Sequence, residues 1–400
     1  MAFDLSQERG VPLDRQVFTW RELAGETISK LNDDAFTRVR IILMNGIEAD
    51  SVRMQHIWAR LNAPLRLPLA RVRRVEHHQQ TMVNWLLPAD QSPLETTIAF
   101  EQVAIEVTSS IAELEPDPYI ARVHRFGLLE DFDHLYRFSA LMDRLEGRDS
   151  NTILQSYTDV LPGRPTSVEH RAPEDDLRIP FDVQTAHPLT KLNAMTITAA
   201  EHQTHDYYMT IGPMFADPLA RQLYAEIASI EEQHVTQYES LIDPKMPILD
   251  QWLLHETMEA YNYYGCAQQE PDARVRATWE RFLDYELGHV HFVADLIKQL
   301  EKRDPWQVVP KTFPEMIAFE SHRQFVRQTL RNEVDLRAVG AQFVDESQVP
   351  QDSPSITYRQ QLNAEGSPSD IIAEGYRWTP GTELAERADG AIELEEGSTV

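Results

Sequence analysis

EIASIEEQHVTQYE (226–239) and WERFLDYELGHVHF (279–292) decide how this chain is read. Each spaces its apolar residues at three and four, as a helix does. Each also places a glutamate three residues ahead of a histidine: Glu231 with His234, and Glu286 with His289. Residues three apart share one helix face, so both members of a pair can point inward together. Two further helical segments carry one inward carboxylate each: Glu201 and Glu256. Glu256 lies in a stripe with Leu249, Trp252, Leu253 and Ala260, and Glu259 follows three residues on. Burying carboxylates costs several kcal/mol each unless they are paired or hold a cation. One Glu from each of two helices, with Glu-x-x-His from each of two others, is the ligand set of a carboxylate-bridged di-iron or di-manganese centre. Oxygen and imidazole donors suit Fe or Mn.

Working outward, the helical pattern begins near Asp33 and the breaks contain proline. Helices are expected at about 35–61, 68–87, 93–114 and 118–146, then at 186–212, 218–242, 247–268 and 272–301, with another near 321–339. The fold class is all-α: two tandem four-helix bundles with an irregular acidic C-terminal tail. The expected units are an N-terminal segment (1–32), a first bundle (33–150), a linker (151–185), a second bundle (186–303), a helical extension (304–340) and a tail (341–400). The linker contains LPGRPTSVEHRAPEDDLRIP (161–180), and the last sixty residues hold 12 acidic against 3 basic side chains. Connections within the second bundle are short, the one around Asp243-Pro244-Lys245 included. This predicts an up-down-up-down order without a long crossover.

The two helical blocks repeat. At a shift of 155, Val75-Glu76 falls on Ile230-Glu231, Glu101 on Glu256, Glu115-Pro116-Asp117 on Glu270-Pro271-Asp272, and His134 on His289. The first block therefore offers a second candidate set: Glu48, Glu76, Gln79, Glu101, Asp131 and His134. Gln79 replaces a histidine and Asp131 replaces a glutamate, so this site is expected to be degenerate. His77 and His78 are expected at the surface or beside the site, and His202 and His205 at the surface. Tyr208, Tyr238 and Tyr263 are expected in aromatic packing on the ligand faces, and Cys266 as a small buried residue.

Composition removes other classes. A single cysteine excludes an internal disulfide framework, a Cys-rich zinc site and an iron–sulfur cluster. A net charge of −27 should repel nucleic acid and anionic membrane. No apolar run reaches the roughly 18 residues a membrane span needs. The opening MAFDLSQERG lacks an apolar core, so no secretory leader is expected, and the cytoplasm is the expected location.

On these motifs the second block resembles the ferritin-like superfamily, and within it the rubrerythrin-type di-iron proteins; Glu256-x-x-Glu259 is the detail nearest to rubrerythrin. The resemblance implies Glu201, Glu231, Glu256 and Glu286 as carboxylate ligands of two Fe (alternatively Mn) ions. It implies one metal ion each for His234 and His289, and Glu259 as a conditional ligand or proton carrier in catalysis. The implied activity is that of an oxidoreductase consuming O2 or peroxide and fed by a separate electron-donor protein, and the resemblance allows a homo-oligomer. An oxygenase acting on a small organic substrate and a non-enzymatic scaffold are the alternatives.

Overall fold

The computed structural model describes residues 3–30 and 33–379. The chain is mostly helical, with one two-stranded sheet among the described residues. Eight long helices carry the fold: α1 (Ala35–Leu61), α2 (Arg66–Asn84), α3 (Pro93–Leu114), α4 (Pro118–Glu146), α5 (Pro188–Ile211), α6 (Pro218–Glu239), α7 (Ile248–Gln269) and α8 (Ala273–Leu300). None of the described helices is long and apolar enough to cross a membrane.

The helix starts are written locally. Asp34, Asp117, Asp217 and Asp272 each accept a backbone N–H of the first turn, and Ser92 with Glu95 forms a capping box. Proline occupies the first position of α3, α4, α5 and α6, where its missing N–H costs nothing. Two of these helices have matching bounds: α3 at 93–114 and α7 at 248–269 coincide at a shift of 155.

Consecutive helices form hairpins, and the hairpins associate across the two sequence blocks. The α1–α2 hairpin faces α7–α8: Gln79 bonds Glu286, Tyr263 bonds Glu48, and the rings of Trp58 and His255 meet edge to face. The α3–α4 hairpin faces α5–α6: Tyr208 bonds Glu101, Tyr224 bonds Thr97, and Phe138 packs on both tyrosines. We call these the outer-pair set (α1, α2, α7, α8) and the inner-pair set (α3–α6). Helices α1 and α5 join the sets. There a Cβ on Gly46 would come 3.2 Å from the Ala199 carbonyl oxygen, Gln203 bonds the Ile42 carbonyl at 2.8 Å, and Asp50 meets His202 at 2.9 Å. The expected grouping of helices by sequence block is therefore corrected: each set takes one hairpin from each block.

Loop lengths help explain this. The eight residues between α6 and α7 reach at most about 28 Å, whereas α6, of 22 residues, is about 33 Å long. A short connection can turn the chain but cannot carry it back along the helix. The one long connection, 147–187, does so. It runs back along α4 through Gly163 N to Asp133 Oδ1 (3.0 Å) and Arg164 Nη1 to the Phe126 carbonyl (2.7 Å), reaching Ile179 N to Tyr119 Oη (3.1 Å). Hairpins α3–α4 and α5–α6 are thus joined by a crossover, while the connections within 186–301 are short as expected; what departs from the up-down-up-down reading is that α5–α8 do not make one bundle.

The connection also corrects its reading as a linker. Arg164, Thr166, Glu169, Arg171, Asp175 and Arg178 are all buried. Proline and aspartate density marked irregular chain, but its arginines are held by buried carboxylates and carbonyls.

Beyond the long helices, α9 (Arg323–Glu333) stops short of the expected 339. The chain then enters β1 (Leu336–Val339), which pairs antiparallel with β2 (Gln342–Asp345) around Gly340. Part of the expected irregular tail is also ordered, with helices α10 (Pro354–Leu362) and α11 (Pro368–Ala373). Ser367 and Ser369 bond the Glu226 carboxylate, and Arg359 bonds the Val168 carbonyl at 2.8 Å, so this segment closes over the crossover. The remainder of the tail, 380–400, lies outside the described residues.

Candidate metal centre

The predicted ligands fall into two clusters rather than one. Glu201, Glu231 and His234 meet Glu101, Asp131 and His134 in the inner-pair set. Glu256, Glu259, Glu286 and His289 meet Glu48, Glu76 and Gln79 in the outer-pair set. The expectation that Glu201, Glu231, His234, Glu256, Glu286 and His289 form one centre is corrected. So is the degenerate set assigned to the first block, whose members divide between the clusters. Glu259 groups with Glu48 and Glu76, so it does not stand beside the Glu231–His234 pair.

The inner cluster holds one carboxylate from α3 (Glu101), Asp131-x-x-His134 from α4, one carboxylate from α5 (Glu201), and Glu231-x-x-His234 from α6. All six side chains are at most 1% exposed. Ligand atoms of Asp131, Glu201, Glu231 and His234 lie within 4.8 Å of one another, as do those of Glu101, His134 and Glu231. Glu231 is common to both groups and stands between the imidazoles: Oε1 is 3.1 Å from His134 Nδ1, and Oε2 is 3.3 Å from His234 Nδ1. The two rings are 5.9 Å apart and nearly parallel, at 26°.

Both imidazoles turn Nδ1 inward and rest Nε2 on a carboxylate outside the cluster. His234 Nε2 is 2.8 Å from Glu130 Oε2, and His134 Nε2 is 2.9 Å from Glu169 Oε2. A carboxylate there selects the Nε2–H tautomer, leaving the Nδ1 lone pair for an ion. Glu130 is held by Arg171 and by Arg164 (3.2 Å), and Arg171 also bonds Asp176 at 2.8 Å. Arg164 lies over the Phe126 ring at 3.9 Å. Sequence reasoning missed Glu130, Glu169, Arg164 and Arg171. Glu130 adjoins Asp131 but gives no separate signal, and the other three sit in the segment read as a linker.

The electrostatics are those of crowded charge. Burial pushes the Glu201 and Glu101 carboxyls well above the ordinary range, with Asp131 adding to the effect on Glu201. Burial opposes charge on both imidazoles, but Asp131 beside His234 and Glu169 beside His134 outweigh it and raise both. Either protons or metal ions must neutralise such a cluster. The residues fit metal ions: both oxygens of Glu201, one of Asp131 and one of Glu101 make no hydrogen bond, and Asp131 Oδ1 meets only His234 Nδ1 at 3.2 Å. An uncompensated buried carboxylate oxygen is costly, and a cation removes that cost.

The flanking residues are resolved as follows. Tyr208 donates to Glu101 and Tyr263 to Glu48, so these tyrosines are hydrogen-bonded to candidate ligands as well as packed. Tyr238 is buried against His124, their rings 5.5 Å apart. His202 bonds Asp50 rather than Glu201, and His205 meets Asp206. His77 is exposed, His78 packs against Phe18, and Cys266 is buried. Comparison with family models, curated proteins and solved structures returned no match.

Proposed function

We propose that the inner cluster is a carboxylate-bridged di-metal centre and that the protein is an oxidoreductase consuming O2 or peroxide. The observation that carries this reading is the donor set. Four carboxylates and two imidazoles from four helices converge in a fully buried space, with unpartnered oxygens facing in. We read the two helix sets as ferritin-like four-helix bundles derived from a duplicated unit. Matching helix boundaries at a shift of 155 support the duplication. The crossover along α4 supports the ferritin-like order.

Glu101, Asp131, His134, Glu201, Glu231 and His234 would hold two ions, Fe or Mn. The ion pair, when bound, supplies the redox equivalents for reducing the oxidant. The chain's own residues do the rest. Glu130 and Glu169 keep the proton on Nε2 of each imidazole, Arg164 and Arg171 keep Glu130 ionised and in place, and Tyr208 holds a proton at Glu101 Oε1. All six side chains of the cluster are at most 1% exposed, and such burial favours an oxidant as small as O2 or peroxide over an organic substrate. Electrons come from a separate donor protein.

The test is metal analysis of the purified protein and of His134→Ala and His234→Ala, with O2 and peroxide consumption under a chemical reductant. The reading expects metal in the wild type, reduced metal in each variant, and consumption that follows metal content. Wild-type protein refractory to loading with Fe or Mn would point to the scaffold alternative. Consumption only with an added organic compound would point to an oxygenase.

A further inference from the structure

We propose that the outer cluster is a second metal centre, independent of the first and built for a harder, oxygen-preferring cation. It gathers Glu48 from α1, Glu76 and Gln79 from α2, Glu256 and Glu259 from α7, and Glu286 and His289 from α8, all of them 0% exposed. Ligand atoms of Glu76, Glu256, Glu286 and His289 lie within 4.8 Å of one another, and so do those of Glu48, Glu76 and Glu259. His289 Nδ1 is 3.0 Å from Glu76 Oε1, 3.0 Å from Glu286 Oε2 and 3.4 Å from Glu256 Oε2.

Acidic residues in company do not make a site, but the neutral side chains here point the same way. Gln79 Nε2 donates to Glu48 (3.0 Å) and Glu286 (2.6 Å), which lodges the amide inside the cluster. Its Oε1, wholly buried, has no hydrogen-bond partner. Both oxygens of Glu259 and one each of Glu48 and Glu76 likewise make no hydrogen bond, and the other oxygen of Glu76 and Oε2 of Glu256 meet only the His289 imidazole. The other carboxylate oxygens of Glu48 and Glu256 are fixed by Tyr263 and Trp252. The oxygens left over are those an ion would take.

Three differences from the inner cluster set the kind of ion. One imidazole is replaced by the Gln79 amide and one carboxylate is added, giving five carboxylates against four. The donor set is therefore richer in oxygen and more negative, and both changes favour harder or more highly charged ions such as Mn2+ or Fe3+. The third difference lies behind the remaining imidazole. His289 Nε2 meets the neutral amide oxygen of Gln16 at 2.7 Å, where His134 and His234 meet carboxylates. A neutral partner makes the ring a weaker donor. Gln16 arrives on the N-terminal segment, anchored by its Nε2 to the Val11 and Tyr285 carbonyls at 2.8 and 2.9 Å.

The test uses the full chain, stripped of metal with chelator and titrated with Mn2+, bound metal being read by elemental analysis and electron paramagnetic resonance. His134→Ala/His234→Ala disables the inner cluster, and the isosteric Glu76→Gln/Glu259→Gln disables the outer one. We expect Mn2+ binding to persist in the first variant and its affinity to fall more than ten-fold at that class of site in the second. We also expect Zn2+ to displace Mn2+ less readily from the outer centre than from the inner one. If His134→Ala/His234→Ala binds no Mn2+ while its circular dichroism spectrum is unchanged, the proposal is overturned. Binding that survives in both variants unchanged also overturns it, because the ion then sits elsewhere. Reversed Zn2+ selectivity would sink the harder-ion assignment. A failure of the inner-centre reading looks different: His134→Ala/His234→Ala would then bind as much metal as the wild type.

Discussion

Histidines 134 and 234 belong to different sequence blocks yet share one carboxylate, whereas His234 and His289 share a block and face different clusters. The helix pairing therefore predicts which alanine substitutions are coupled. A ligand held at one hundred times its dissociation constant stabilises the folded state by about 2.7 kcal/mol. If the inner cluster holds metal as proposed, His134→Ala alone, or His234→Ala alone, removes an imidazole ligand and forfeits up to that amount. The double variant has nothing further to lose, so the two effects should fall short of additivity by about 2–3 kcal/mol. Effects of His234→Ala and His289→Ala should add to within about 0.5 kcal/mol. At roughly 2 cal/mol/K per residue, a chain of this length unfolding as one unit loses about 3 °C in Tm for each such forfeit. The assay is thermal and urea unfolding of the four-member cycles, with Fe2+ supplied anaerobically and again without metal. The shortfall should vanish without metal. If instead His234 and His289 proved coupled, and His134 and His234 additive, the cross-block pairing would be wrong.

Three further outcomes follow from particular contacts. Glu130→Gln keeps the shape behind His234 but weakens its carboxylate backing, and metal affinity should fall about 10–100-fold in chelator competition. His124 is buried with neither ring nitrogen hydrogen-bonded, and burial lowers its pKa to about 3. Because the folded-state value lies below the unfolded one, its neutral form stabilises above pH 6.5, and that contribution is lost as pH falls from there toward 3. His124→Leu should flatten this acid limb, by at most about 5 kcal/mol at its foot, in urea unfolding across that range; an unchanged limb would refute the assignment. A Cβ on Gly288 would sit 2.0 Å from the Val11 carbonyl oxygen. Gly288→Ala should therefore release the N-terminal segment and speed its proteolysis, with α8 itself intact.

Much of this protein is legible in its residues. Proline and aspartate caps mark where the long helices start, apolar spacing at three and four gives their faces, and Glu-x-x-His on those faces picks out Glu231, His234, Glu286 and His289. A constant shift of 155 relates Glu76 to Glu231 and His134 to His289. What the sequence could not determine is which hairpin meets which. At a shift of 155 the residues of α3–α4 and α7–α8 correspond, so by local pattern α1–α2 can pair with either. Only the tertiary structure decides. The long 147–187 connection returns along α4 and brings α5–α6 against α3–α4, leaving α1–α2 to α7–α8. That choice moves His134 beside Glu231 and Gln79 beside Glu286. It turns one expected complete centre and one degenerate centre into two clusters of unequal charge. Glu169 and Gln16, which set the imidazoles, come from irregular segments whose positions only long-range packing fixes.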